Sequence, residues 1–263
     1  MSKYIDKLKG KRIVVIGGSS GIGFAVAEAC IEYGAKVTIA SSSQTRVDGA
    51  VEKFKNAYSN AEVSGVQVDL KSNDVETQLV ALFDHATSHA MHPIDHVAFT
   101  AGDNLQVVLL KDITPNDILR TFQVRVVGAA LAAKVAQRYM AASVQSSFTL
   151  TGGVGDEKPT PGRGMLAPAG GAVKALATAL ANELRPIRSN IVCPGPVHSE
   201  MYNSLPQDTL GATLEMFRTR TLTQTLGAPE DLAEVYLAIM RNSFVTGSRH
   251  YADGGYMLKK IGD

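Results

Sequence analysis

The sequence predicts an α/β fold, a doubly wound parallel sheet of about seven strands of the Rossmann kind, in a single domain over residues 1–263. Three observations predict it. Short apolar runs alternate with longer helix-like segments along the whole chain. The first run, Ile13-Val14-Val15-Ile16, is continuously apolar, as a strand covered on both faces requires. A glycine cluster follows it directly and opens a helix, the arrangement that cradles a pyrophosphate.

The elements follow in order. After the first strand, residues 24–33 read as a helix ended by Gly34. Residues 36–40 and 63–68 read as the next two strands. A helix then opens near Ser72-Asn73-Asp74, residue types suited to a helix N-cap. Residues 96–100 are the fourth strand, 117–140 a long helix and 147–151 the fifth strand. A helix over 170–184 and a strand over 190–193 come next. The last helix runs from about 229 to 241, with Pro229 suited to its first turn, and a short strand near His250 closes the set.

Composition excludes several classes. The chain has 263 residues, 45% hydrophobic and 19% charged, with a net charge of +1. That balance gives no electrostatic case for nucleic acid or an anionic membrane. No apolar run approaches the roughly 18 residues of a membrane span. The first residues lack the apolar core of a signal peptide, and the expectation is a cytoplasmic protein with a small-molecule ligand. Cys30 and Cys193 stand far apart and read as buried core thiols, with no metal-binding or redox spacing.

In a doubly wound sheet ligands bind beyond the carboxyl ends of the strands. The first such loop is Gly17-Gly18-Ser19-Ser20-Gly21-Ile22-Gly23. Gly17 permits the turn, and Gly21 and Gly23 allow close approach of backbone and helix. The helix N-terminus offers free N–H groups to phosphates. At the end of the second strand an acid would bind the adenosine ribose of NAD. Here Ser41-Ser42-Ser43 stands instead, with Arg46 one helical turn on, so the reading is NADP(H). The alternative for Arg46 is a solvated position on a helix.

The spacing Gly17-x-x-x-Gly21-x-Gly23 resembles the glycine motif of the short-chain dehydrogenase/reductase family. Further segments match in order over about residues 8 to 258. Asp69-Leu70 resembles the pair that flanks the adenine. Phe99-Thr100-Ala101-Gly102 stands in place of the Asn-Asn-Ala-Gly segment. Ile187-Arg188-Ser189-Asn190-Ile191-Val192 with Pro194-Gly195 resembles the sixth strand and its Pro-Gly turn, beyond which Val197 and Ser199 would meet the nicotinamide carboxamide. Val245-Thr246-Gly247 and Asp253-Gly254-Gly255 resemble the C-terminal signature.

The family's catalytic end does not match. There a Tyr moves the carbonyl proton, a Lys one turn later lowers its pKa, a Ser orients substrate and an Asn steadies a water. Aligned from Ala181-Asn182-Glu183-Leu184, these positions fall on Leu166, Gly170, Gly152 or Gly153, and Arg125. Lys174 lies one turn further and faces differently. Tyr139 is the one Tyr between residues 100 and 200.

Three readings follow. The first is a reductase whose substrate needs no proton, such as an iminium. This is similar to fungal short-chain reductases of indole alkaloid biosynthesis, of the malbrancheamide and paraherquamide type. They lack the Tyr/Lys pair, carry Arg at the position of Arg125, and some guide a cycloaddition. Their Asp between two prolines is Thr160 here, and Asp156, earlier on the same loop, is the candidate carboxylate for an iminium. The second is a reductase with relocated groups drawn from Arg125, Asp156, Lys158, His198 and Tyr202. Arg125 leads, because a guanidinium binds carbonyl or carboxylate bidentately; otherwise it braces backbone carbonyls, and Asp156 and Lys158 are otherwise solvated loop charges. The third is a protein that binds the cofactor without redox turnover, as sensor, scaffold or non-redox cyclase.

Residues 198–226 occupy the family's substrate lid. Met201, Tyr202, Leu205, Leu210, Leu214, Met216 and Phe217 imply a bulky, largely apolar substrate. Ala-rich helix faces (Ala129, Ala130, Ala132, Ala133; Ala175, Ala177, Ala179, Ala181) imply a homodimer or homotetramer.

Overall fold

The computed structural model describes residues 2–103, 108–159, 164–199 and 207–259. Seven parallel strands form one sheet in the order β3-β2-β1-β4-β5-β6-β7. They are β1 (Arg12–Ile16), β2 (Lys36–Ser41), β3 (Val63–Gln67), β4 (His96–Phe99), β5 (Ser147–Thr151), β6 (Arg188–Pro194) and β7 (Arg249–Ala252). The order reverses at β1, which pairs with β2 on one side and β4 on the other. That reversal opens the crevice in which a ligand sits.

Helices cover both faces, which is why the inner strands are apolar without alternation. On one face α3 (Val75–Thr87), α5 (Ala129–Ala136) and α6 (Leu166–Glu183) close a core around Val14, Val97, Phe99, Phe148 and Ile191. On the other, α1 (Gly21–Glu32), α2 (Gln44–Ala57) and α8 (Pro229–Arg241) cover Ile13, Val15, Ile39, Ala98 and Val192. Both cysteines are buried in these cores as free thiols, and burial raises Cys193 to about 11.

The expected long helix is corrected. It starts at Pro115, where Thr114 and Asp117 form a capping box, and stops at Ala136. It is α4 (Pro115–Phe122), then a π-helical stretch (Gln123–Gly128), then α5. It ends early because Met140 bridges to Ile94 beside the sheet. The helix expected from residue 170 begins one turn sooner, with Pro168 in its first turn, where a missing N–H costs nothing. The helix α7 (Gln207–Thr219) was not expected from the sequence, and α2 was expected only as the helix that would carry Arg46.

The alanine faces divide between core and surface. Ala129, Ala132, Ala133 and Ala177 face their own core. Ala175 and Ala179 are exposed on α6. Among the described residues no helix is long and apolar enough to cross a membrane.

Candidate active site

The crest of the sheet around β1 is packed backbone to backbone. Gly17 has φ +98°, and a Cβ there would stand 2.6 Å from the Ala101 amide nitrogen and 2.7 Å from Thr100 Oγ1. A Cβ on Gly23 would stand 2.2 Å from the Gly17 carbonyl oxygen. The end of β1, the first turn of α1 and the segment Thr100-Ala101 therefore touch only because these positions lack side chains. Thr100 ties the arrangement, its amide donating to Ile16 O at 2.8 Å and its hydroxyl to the same oxygen at 3.1 Å.

Ser20 is the N-cap of α1 and its side chain caps nothing, so the helix presents its leading N–H groups unprotected by a side chain. Gly21 and Ile22 continue that turn, with Gly21 at φ +53°. The hydroxyls read from the sequence gather beside it. Ser19 Oγ donates to Ser41 Oγ at 2.9 Å. Arg46 Nη2 donates to Ser42 Oγ at 2.9 Å, and Ser43 caps α2 by accepting from the Arg46 amide. A residue that the sequence reading missed joins them: Gln67 Nε2 donates to Ser42 O at 3.1 Å. Its signal was its place at the end of β3, next to β2.

Asp69 and Leu70 follow β3. The Asp69 amide donates to Gln78 Oε1 at 2.8 Å, and Leu70 is buried under Gly128. At the other end of the crest, β6 runs into the Pro-Gly turn. A Cβ on Gly195 would stand 2.5 Å from Asp253 Cα, so the turn lies flat on the chain after β7. Val197 is buried and bridges to Gly227, and the His198 amide donates to Gly227 O at 2.8 Å. Ser199 Cβ comes within 3.8 Å of the Cβ position of Gly21, closing the loop over the start of α1. Tyr202, Met201, Leu205 and Thr160 lie outside the described residues.

Arg125 sits in the π-helical stretch and reaches the β4 loop. Its Nη2 donates to Asp103 O at 2.9 Å, and its guanidinium lies 2.7–2.9 Å from where a Gly102 Cβ would be. Burial lowers its pKa while Asp103 opposes the shift. The Asp103 carboxylate pairs with Lys71 at 2.9 Å. Lys71, Asp103, Gly102 and Arg125 thus link the two loops that flank the crest.

Asp156 and Lys158 are not solvated loop charges. The Asp156 side chain is 7% exposed and accepts from Lys174 Nζ at 2.7 Å. Lys174, 1% exposed, also pairs with Glu157, which in turn accepts from the Tyr251 hydroxyl. Burial pushes Lys174 toward the neutral form, but the two carboxylates outweigh it and hold the ammonium above its ordinary pKa. Lys158 donates to Tyr256 O at 2.8 Å and also to Lys259 O, and Lys259 Nζ donates to Thr219 O at 2.6 Å. Phe217 of α7 packs with Val154 and Tyr256 in a small third cluster. Tyr139 lies away from the crest, its hydroxyl bonded to Asp84 at 2.9 Å. Among the described residues no group of His, Cys, Asp and Glu is arranged to hold a metal ion.

A dinucleotide crevice at the β1 reversal, with a glycine-lined helix start and a Pro-Gly turn opposite, defines a nucleotide-binding Rossmann protein. The family model described as an SDR-like Rossmann domain matches residues 4–259, and the chain belongs to the short-chain dehydrogenase/reductase family. The chain is 42% identical over 261 residues to the short-chain dehydrogenase/reductase ucsE of an Acremonium species, covering 98% of this chain and 99% of the relative. The solved MalC reductase/Diels-Alderase of Malbranchea aurantiaca superposes with a TM-score of 0.91 at 34% identity, over 97% of this chain and 99% of that one. A small-chain dehydrogenase solved in complex with NADPH has a TM-score of 0.75 at 26% identity, over 95% and 100% of the two chains.

Proposed function

We propose that this protein is an NADP(H)-dependent oxidoreductase of secondary metabolism that delivers hydride to a carbon needing no proton donor, an iminium being the simplest case. The observation that carries the reading is the start of α6. Leu166 is its first residue, and Gly170, one turn on, is filled from outside by Asp156. These are the positions at which the family's Tyr and Lys align. An alkyl side chain moves no proton, so an ordinary ketone loses acid catalysis worth roughly 10²–10⁴ in rate. An iminium carbon is already cationic and becomes an amine on accepting hydride, with no proton required.

The residues present fit the cofactor. Gly17, Ser19, Ser20, Gly21, Ile22 and Gly23 form the pyrophosphate cradle. Ser41, Ser42, Ser43 and Arg46 form the pocket for the 2′-phosphate, in which hydroxyls and a guanidinium replace the acid of NAD-binding relatives. Asp69 and Leu70 flank the adenine, Thr100, Ala101 and Gly102 line the floor, and Val197 and Ser199 meet the carboxamide. When bound, NADPH supplies the hydride. Arg125 borders the substrate side and orients a polar group of the substrate, while Asp156 shapes the opposite wall. The NADPH complex of one structural neighbour and the resemblance to MalC support the reading. The substrate is bulky and largely apolar, with α7 as part of its cover. The exposed face of α6 around Ala175 and Ala179 is the surface proposed for self-association.

The test is NADPH oxidation followed with a panel of cyclic imines presented as their iminium ions, N-alkylated and so permanently cationic, and a panel of ketones. Imines turn over, and ketones react at least about 100-fold more slowly. Ketone turnover at equal efficiency overturns the iminium reading. Tight NADPH binding with turnover of neither panel establishes the alternative, a cofactor-binding protein without redox activity.

A further inference from the structure

We propose that Lys174 is a positioning residue: by holding Asp156 and Glu157 it seats the loop after β5 in the space left by Gly170, so that Gly170 and Asp156 are one coupled feature of the substrate wall. The inference rests on the reading above, in which position 170 carries no catalytic lysine.

The geometry is steric first. A Cβ on Gly170 would stand 2.8 Å from Asp156 Cβ and 3.2 Å from its Cγ. Real Cβ atoms do not approach so closely, so any side chain at 170 forces Asp156 to shift. The Asp156 side chain therefore occupies the volume through which a longer residue at 170 would leave the helix. Lys174, one turn on, shares that helix face and does not point elsewhere as the sequence suggested, since both positions meet Asp156, and it supplies the force that keeps Asp156 there. Its ammonium is shared between Asp156 and Glu157 and lies 5.3 Å from the centre of the Tyr251 ring. Tyr251 closes the set by donating to Glu157. The network thus joins β7, α6 and residues 152–158, with Val154 of that loop packed on Phe217 of α7. The wall is fixed by a buried ion pair whose parts hold only when all are present.

The consequence concerns specificity. A Tyr and Lys placed at 166 and 170 do not restore proton transfer while Asp156 fills the path of the second residue. The active-site wall excludes the family's usual chemistry by shape as well as by missing groups.

A helix-interior Gly→Ala exchange ordinarily stabilises, which makes the sign of a double-mutant cycle decisive. Gly170→Ala in the wild-type chain should lower the melting temperature, by about 3–8 °C. In an Asp156→Gly background the same exchange should raise it, by about 2–4 °C. A loss of equal size in both backgrounds, or a gain in the wild type, overturns the coupling. For the role of Lys174, NADPH binding is titrated by fluorescence and turnover is measured on the best imine. Lys174→Met should leave the NADPH dissociation constant within about twofold and lower kcat/KM by about tenfold or more, with Lys174→Arg recovering part of it. Parallel loss of NADPH binding and turnover shows a general structural role and overturns the positioning. If the wild type reduces no imine, the proposed function fails, while the thermal cycle still decides the coupling.

Discussion

In the proposed cofactor pocket, Arg46 is the residue whose charge would bear most directly on cofactor choice. It stands in the first turn of α2 with its guanidinium on Ser42 Oγ, and no acid occupies Ser41 to Ser43. A charge-assisted hydrogen bond to phosphate contributes about 1.5–3 kcal/mol. Arg46→Ala should therefore weaken NADPH about 10- to 100-fold and leave NADH within about twofold. Competitive fluorescence titration of both cofactors checks this, and equal losses for the two would place Arg46 outside the phosphate pocket. The same scale shows what sequence made legible and what it did not. Gly17, Gly23 and Thr100 were readable because close backbone approach leaves a mark on residue type. The burial of Asp156 was not. The sequence marks that residue as a candidate carboxylate, but its burial depends on Lys174, 18 residues on in the next helix, and on a glycine whose emptiness matters only once the loop is folded onto it.

At the scale of elements, α4 shows how a cap sets the helix that leads into the π-helical stretch of Arg125. The Thr114 hydroxyl accepts from the Asp117 amide, and the Asp117 carboxylate accepts in return from the Thr114 amide at 3.0 Å. Thr114→Ala removes one half of this exchange and should cost about 1 kcal/mol, a fall of about 2–4 °C in melting temperature. Differential scanning calorimetry reads it directly, and an unchanged transition would mean that α4 does not melt with the domain. The signal Thr-Pro-x-Asp was present in the sequence and marks the start better than apolar periodicity did. The π-helical stretch was not legible, because one wider turn leaves no compositional trace. The strands were the most readable elements, since double coverage makes them plain apolar runs. α2 carries a signal in Val47, Ala50, Val51 and Phe54 on one face, which marks its extent beyond the turn that holds Arg46.

For the whole molecule, one contribution to the response to pH comes from a histidine far from the crest. His96 opens β4 at 2% exposure and shares a hydrogen bond of 2.9 Å with Ser147. Burial, with smaller contributions from Arg188 and Lys11, lowers its pKa to about 3. The unfolded chain takes up this proton near pH 6.5, whereas the folded chain does not until about pH 3. Between these values the unfolded state binds more protons, so stability falls as pH falls, by about 1.4 kcal/mol per pH unit from this group. His96→Gln should flatten that slope in urea titrations run from pH 7 to pH 4. An unchanged slope would assign acid sensitivity to other groups. Glu157 adds to the acid limb, because its bond from Lys174 lowers its pKa and that support is lost as protonation sets in below the usual carboxylate range. The chain after β7 acts on this same scale. Asp253 lies under the Gly195 turn, Tyr256 and Lys259 receive Lys158, and Lys259 reaches Thr219 of α7. A purification handle fused behind that segment is expected to disturb these contacts first. The opposite end, where Tyr4 and Ile5 stand exposed, is the safer place for a tag or a surface tether.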